Sequence, residues 1–196
     1  MYEIPTYITI NESQYTIRCQ GDYRMVLDLI SCLNDRELTE QERAVAGVII
    51  FYEDFNDIED VLACEPSLFQ ELVSKMFWFI SCDSNSGGVQ LPYKVIDWDA
   101  DAQLVCSAIN KVAHTEVRAV EYLHWWTFIG YYMEIGESVL STVVSIRSKM
   151  KKGKKLEKWE REFKASNPNY FIWDARTAQE LEDEELIKSI WNSDKW

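Results

Sequence analysis

The stretch Ser67-Leu68-Phe69-Gln70-Glu71-Leu72-Val73-Ser74-Lys75-Met76-Phe77-Trp78-Phe79-Ile80 decides the fold class. Leu68, Phe69, Leu72, Val73, Met76, Phe77 and Ile80 recur at steps of three and four residues, which places them on one face of an α-helix. Ser67, three residues before Gln70, reads as the cap of that helix. So bulky and aromatic a stripe marks a central helix.

The same period extends to both sides. Met25, Val26, Leu29, Ile30 and Leu33 form a stripe entered through Gly21-Asp22. Thr39-x-x-Glu42 is a capping-box signature ahead of Ala44, Val45, Val48, Ile49 and Tyr52. A short helical turn over Asp57 to Ala63 stops before Pro66. Downstream, Asp97-Trp98-Asp99 leads into a helix bearing Leu104, Val105, Ala108, Ile109 and Val112, and His114-Thr115-Glu116 breaks it. A helix is expected over Val117 to Met133, and another from near Ser138 with Val139, Leu140, Val143, Val144 and Ile146.

Only the start has a period of two. Ile8 and Ile10 share one face, and after the polar turn Asn11-Glu12-Ser13-Gln14 so do Tyr15, Ile17 and Cys19. The expected architecture is therefore mainly α. A β-hairpin over 1–20 packs on a helical domain over 21–165, with a flexible linker near 82–95. An acidic, tryptophan-bearing appendage follows over 166–196.

The chain has 196 residues, 47% hydrophobic and 27% charged, the mix of a globule with a core. Its 20 Lys and Arg against 33 Asp and Glu leave a net charge of -13, which disfavours nucleic acid and anionic lipid as partners. The longest apolar runs, Ala44 to Tyr52 and Tyr122 to Met133, are shorter than the ~18 residues of a membrane span. Met1-Tyr2-Glu3-Ile4 has no signal-peptide character, so a soluble protein is expected. The 5 cysteines are odd in number and lack C-x-x-C spacing, which reads as reduced structural thiols without a zinc site. With 2 His, composition favours binding or scaffolding over catalysis.

Glu121-x-x-His124 has the spacing of a di-iron half-site, but no second Glu-x-x-His accompanies it, and a packed or capping histidine is the expected role. Gly87-Gly88 carries no phosphate-loop pattern, and Asp97, Asp99 and Asp101 have no glutamate at the twelfth position of a calcium loop. The acidic triplet reads instead as a helix N-terminus favoured by negative charge. Between Arg147 and Lys158, seven basic residues face one Glu157, a run expected to be a solvated helix or a dock for an acidic protein segment. This chain's own acidic tail is one candidate for that segment. Trp125 and Trp126 are adjacent and so project about 100° apart on a helix. They cannot share one stripe: one anchors the core while its neighbour reaches a margin or interface, or both pack.

Several pieces together resemble a known family. They are the opening hairpin, Leu38-Thr39-Glu40-Gln41-Glu42, Met76-Phe77-Trp78-Phe79 and Ile96-Asp97-Trp98-Asp99-Ala100-Asp101-Ala102. Tyr122-Leu123-His124-Trp125-Trp126-Thr127-Phe128 follows, and Ser145-Ile146-Arg147 precedes the basic run. Over about residues 5 to 160 this pattern resembles the bacteriophage gene-product-fifteen family of Gram-positive long-tailed phages and prophages. Such proteins are encoded just ahead of the tape-measure gene, so the resemblance implies a tail assembly chaperone. It implies no catalytic activity, cofactor or metal. The expected partners are the tape-measure protein and the tail tube protein, met in the host bacterial cytoplasm, with homo-oligomerisation left open. Trp125, Trp126, Trp159 and Trp191 are the expected partner contacts. The competing expectation is a structural virion protein, a head–tail connector or tail completion protein.

Overall fold

A computed structural model describes residues 3–35, 37–83 and 95–172. The chain is mainly α-helical with a small N-terminal hairpin. Strands β1 (Tyr7–Ile10) and β2 (Ser13–Thr16) pair antiparallel, with Ile8 opposite Tyr15. The helices are α1 (Tyr23–Leu33), α2 (Glu40–Phe51), α3 (Ile58–Leu62) and α4 (Pro66–Ile80). Then come α5 (Ala102–Ala113), α6 (Trp125–Met133), α7 (Val139–Lys151) and α8 (Lys158–Ser166). Two compact units result, one from Met1–Leu91 with Val105–Ile135, the other from Pro92–Leu104 with Gly136–Trp196. Most of the linker expected near 82–95, and the tail from residue 173 onward, lie outside the described residues.

In the first unit the hairpin is tighter than its sequence suggested. Only Asn11 and Glu12 form the turn, both at positive φ (48° and 70°), the backbone that matches the twist of paired strands. Ile8 and Ile10 point into the core. The second strand stops at Thr16, so Cys19 leaves the expected face and sits exposed in a 3₁₀ turn at Arg18–Gly21. Arg18 explains the exit. Its Nη2 donates to the carbonyls of Ile49 (3.2 Å), Tyr52 (2.9 Å) and Phe55 (3.1 Å), closing the C-terminal end of α2.

The capping box of α2 forms as read: Glu42 N–H donates to Thr39 Oγ1 (3.2 Å) and Thr39 N–H to Glu42 Oε2 (2.8 Å). For α4 the expected cap is replaced. Pro66 occupies the first turn, where its missing N–H costs nothing, and Ser67 is inside the helix. The face of α4 is also rotated: Leu72, Met76 and Phe79 are buried, whereas Phe77 is 50% exposed. Phe79 meets Phe51 of α2 at 5.2 Å between ring centroids.

The largest correction concerns Val117 to Met133. Helix begins only at Trp125; the preceding residues form turns in which Val117 is buried and bound through its N–H to Asn110 Oδ1 (2.8 Å). The extended residues near Leu123 pair with the start of α1. Tyr23 N–H donates to the Leu123 carbonyl (2.9 Å), and Leu123 N–H to Asp22 Oδ2 (2.9 Å).

Gly21 lies against this junction at φ +77°, and a Cβ there would come within 2.7 Å of Phe79 Cζ. Gly21→Ala is expected to destabilise by roughly 2–4 kcal/mol, from left-handed backbone strain plus overpacking. Gly130 in α6 has nothing near its Cβ position, so Gly130→Ala should stabilise by about 0.5–1 kcal/mol. Urea titrations of the two variants are expected to move in opposite directions.

The second unit packs α7, α8 and a 3₁₀ turn at Pro168–Phe171 around Val143, Ile146 and Phe171, with Leu104, Met150, Leu156 and Phe163 closing the cluster. Residues 168–171, expected in the appendage, thus belong to this core. Ser138 caps α7 with a capping box through Ser141. The basic run is not one solvated helix: α7 ends at Lys151, Gly153 turns the chain at φ 63°, and α8 starts at Lys158.

Arg147 is withdrawn from that run altogether, at 1% exposure. Its guanidinium forks onto Asp101 (2.6 and 2.9 Å) and also donates to the carbonyls of Val95 (3.1 Å) and Tyr170 (2.9 Å). Asp101, read as helix-start decoration, is thus a buried counter-ion. Asp97 accepts from the N–H groups of Asp99 and Ala100, bracing the turn that precedes α5 rather than the first turn of the helix itself.

Candidate partner-binding site

The tryptophan pair resolves into one buried and one marginal ring. Trp125 is 2% exposed and its Nε1 donates to the Ile80 carbonyl (2.9 Å); Trp126 is half-buried and its Nε1 donates to the Phe79 carbonyl (2.9 Å). Two neighbouring indoles therefore donate to two neighbouring carbonyls in the last turn of α4, where the Phe79 carbonyl also accepts from Cys82 N–H (3.0 Å). Trp125 also stacks on Phe128 (5.8 Å), which stacks on Tyr23 (4.4 Å). This pair holds α4, α6 and α1 together. Trp159, in the other unit, is 55% exposed, and Trp191 lies outside the described residues.

His124 completes the junction. Its Nδ1 accepts from Trp126 N–H (3.1 Å), capping α6, so Nε2 carries the proton and donates to the Pro5 carbonyl (3.1 Å). Glu121 is not on a helix, so the helical Glu-x-x-His face does not form. Among the described residues no group of three His, Cys, Asp or Glu could hold a metal ion.

Burial pushes the His124 pKa below the usual imidazole value, more than Pro5 and Asp22 raise it. The unfolded chain protonates near ~6.5. Stability from the neutral ring is therefore complete above that pH and is lost as pH falls through the folded value. The melting temperature should drop between about pH 7 and pH 5. His124→Asn, which keeps a capping acceptor without a titration, should flatten that slope; an unchanged slope would remove His124 as its source.

Among the described residues of the first unit, a larger and a smaller concavity are formed. The larger, about 810 Å³, has a charged lining in which Arg18, Asp22 and Arg24 are already committed to structural bonds. There Asp22 accepts from Arg24 and Leu123, and Arg18 closes α2. The smaller, about 440 Å³, runs between α1, α2 and α4 and is lined mainly by apolar side chains, with Asn34 also in the lining. Ile30 and Leu33 come from α1, Ala44 from α2, and Val73, Phe77 and Ile80 from α4, while Glu40 and Arg43 stand beside them. Gly47 sets the closeness of the three helices: a Cβ there would stand 3.2 Å from Met76 Cε and 3.3 Å from Leu33 Cδ2.

The groove is the feature that the tryptophan-based reading missed. A signal existed in Met76-Phe77-Trp78-Phe79-Ile80, five consecutive large apolar residues that cannot all share one helical face.

Four of the thiols are held away from nucleophilic reactivity by burial. Burial raises the pKa of Cys32, Cys64 and Cys106, and lifts Cys82 to about 11, which keeps each in the un-ionised form. No helix among the described residues is long and apolar enough to cross a membrane.

A mainly helical protein results, with a polar junction spent on structure and a largely apolar groove between α1, α2 and α4 left open. The chain belongs to the bacteriophage Gp15 protein family, whose model matches residues 2–170. Membership in that family makes it a phage protein of the structural or assembly kind. No curated protein and no solved structure matches the chain.

Proposed function

We propose that the chain is a tail assembly chaperone that binds the tape-measure protein and keeps it dispersed until the tail tube polymerises around it. The observation that carries this reading is Phe77, half exposed on the edge of a largely apolar three-helix groove in a chain of this phage family. Grooves of this kind take the apolar face of an amphipathic helix, anchored at three- and four-residue steps. A long helical tape offers such faces repeatedly. Each anchor buried in the groove contributes about 1.5–3 kcal/mol before the cost of ordering, so a single site is weak and several along one tape give avidity. Weak sites permit displacement by arriving tube protein.

The net charge of -13 serves the same end by repelling neighbouring complexes. No bond is made or broken in this role, and it is carried out in the host cytoplasm. Among the expected tryptophan contacts, exposed Trp159 suits a partner-facing role, whereas buried Trp125 acts through the fold.

Mass spectrometry of purified particles and of the lysate they came from tests the reading. The chain should be abundant in the lysate and missing from finished particles. A fixed copy number in particles would instead make it a virion component, a connector or tail completion protein.

A further inference from the structure

We infer that the basic corner between α7 and α8 is a docking surface for the chain's own C-terminal segment, residues 180–191. Once Arg147 is paired with Asp101 and Lys149 with Glu160 (2.6 Å), the basic residues divide into two sets. Lys152, Lys154, Lys155 and Lys158 remain exposed, and so does Trp159 at the start of α8. The corner is held in place. Gly153 N–H donates to the Met150 carbonyl (3.0 Å) and Lys154 N–H to the Lys149 carbonyl (2.8 Å), the paired closure that stops a helix at a left-handed residue. Leu156 is pinned on the other side by packing in the core and by Arg161 Nη1 on its carbonyl (2.6 Å). The lysines are therefore presented at fixed places, and nearby acids answer them poorly. Glu157 is the capping residue of α8, and Glu162 reaches only Lys158, at 3.8 Å between two exposed side chains.

The occupant follows from charge, reach and chemistry. Glu180, Glu182, Asp183, Glu184 and Glu185 place five carboxylates in six residues, and Leu181, Leu186, Ile190 and Trp191 supply apolar anchors beside them. Four exposed ammonium groups and an exposed indole within eight residues of sequence match a segment that is both acidic and apolar. The chain leaves the described structure at Ile172, directly after Phe171 is buried in the same unit. Eight residues from there to Glu180 span up to about 26 Å when extended. That exceeds the ~20 Å length of α7, so the tether reaches the corner without strain. A tether this short gives an effective concentration near the millimolar range, enough for modest contacts to persist.

Hydrogen exchange on the full chain tests this. Amides within 180–191 should be protected in dilute protein, and the protection should be lost at high salt and in a Lys152→Glu, Lys154→Glu, Lys155→Glu variant. Replacing the same three residues by arginine should preserve it. The substituted side chains are exposed, so the fold should survive; the salt series on the unaltered chain reports independently of any variant. Exchange in 180–191 that is equally fast in all forms overturns the inference. So does protection that rises with protein concentration, because the occupant is then a second copy.

Discussion

Arg147→Met is expected to destabilise the protein by about 3–5 kcal/mol, because it leaves the Asp101 carboxylate buried without its counter-charge. Both groups lie in an almost water-free setting, at 1% and 3% exposure, so neither can be rescued by hydration. Asp101→Leu alone should cost a similar amount by stranding the guanidinium. The double variant Asp101→Leu, Arg147→Met is the informative one. A buried ion pair swapped whole for apolar groups is often near neutral. Here, however, Arg147 also serves the carbonyls of Val95 and Tyr170. Those two acceptors would remain unsatisfied, so recovery should be incomplete, with about 1–3 kcal/mol still missing. Urea unfolding followed by circular dichroism gives all three values. Full additivity of the single losses would show that the pair does not act as a unit.

Trp125→Ala should cost about 4–5 kcal/mol, combining a large cavity with an unpaired Ile80 carbonyl. Trp125→Phe separates these contributions. It keeps most of the ring against Phe128 and removes only the indole donor, so about 1–3 kcal/mol is expected. Trp159→Ala, at an exposed ring, should change stability by no more than about 0.5 kcal/mol. Thermal unfolding of the three variants should rank them in that order. A large loss for Trp159 would mean that its ring is packed.

Local signals in the sequence guided well at several helix starts, although at α4 the Ser67 signal gave way to Pro66. The Thr39 capping box sits where it was read, and α3 and α7 start at Asp57 and Ser138, where those helices were expected to begin. Signals that depend on distant partners misled. Val117 to Leu123 has helical composition, yet its backbone bonds go to Asn110 and Asp22, which no periodicity reveals. Arg147 looked like one charge among many until Asp101, 46 residues earlier, was placed beside it. Phe77 and Phe79 exchanged roles because α4 is apolar on more than one side, and the choice of inner face is made by Phe51 and Met76.

The candidate site was the least legible part. Tryptophan was expected at a contact surface, but an indole is also a hydrogen-bond donor on a large apolar body. Trp125 and Trp126 use both properties to finish α4. The groove is assembled from three helices separated in sequence by loops, with ordinary residues such as Ile30, Ala44 and Val73 forming its walls. The run from Met76 to Ile80 signals a second apolar side on α4, but only the packing of α2 through Gly47 brings the walls together.

Co-expression with the tape-measure protein of the same phage tests the central claim most directly. The tape-measure protein should be found in the soluble fraction with the unaltered chain, and should aggregate when the chain is omitted or carries Phe77→Asp in its groove. A tape-measure protein equally soluble in all three cultures would contradict the account.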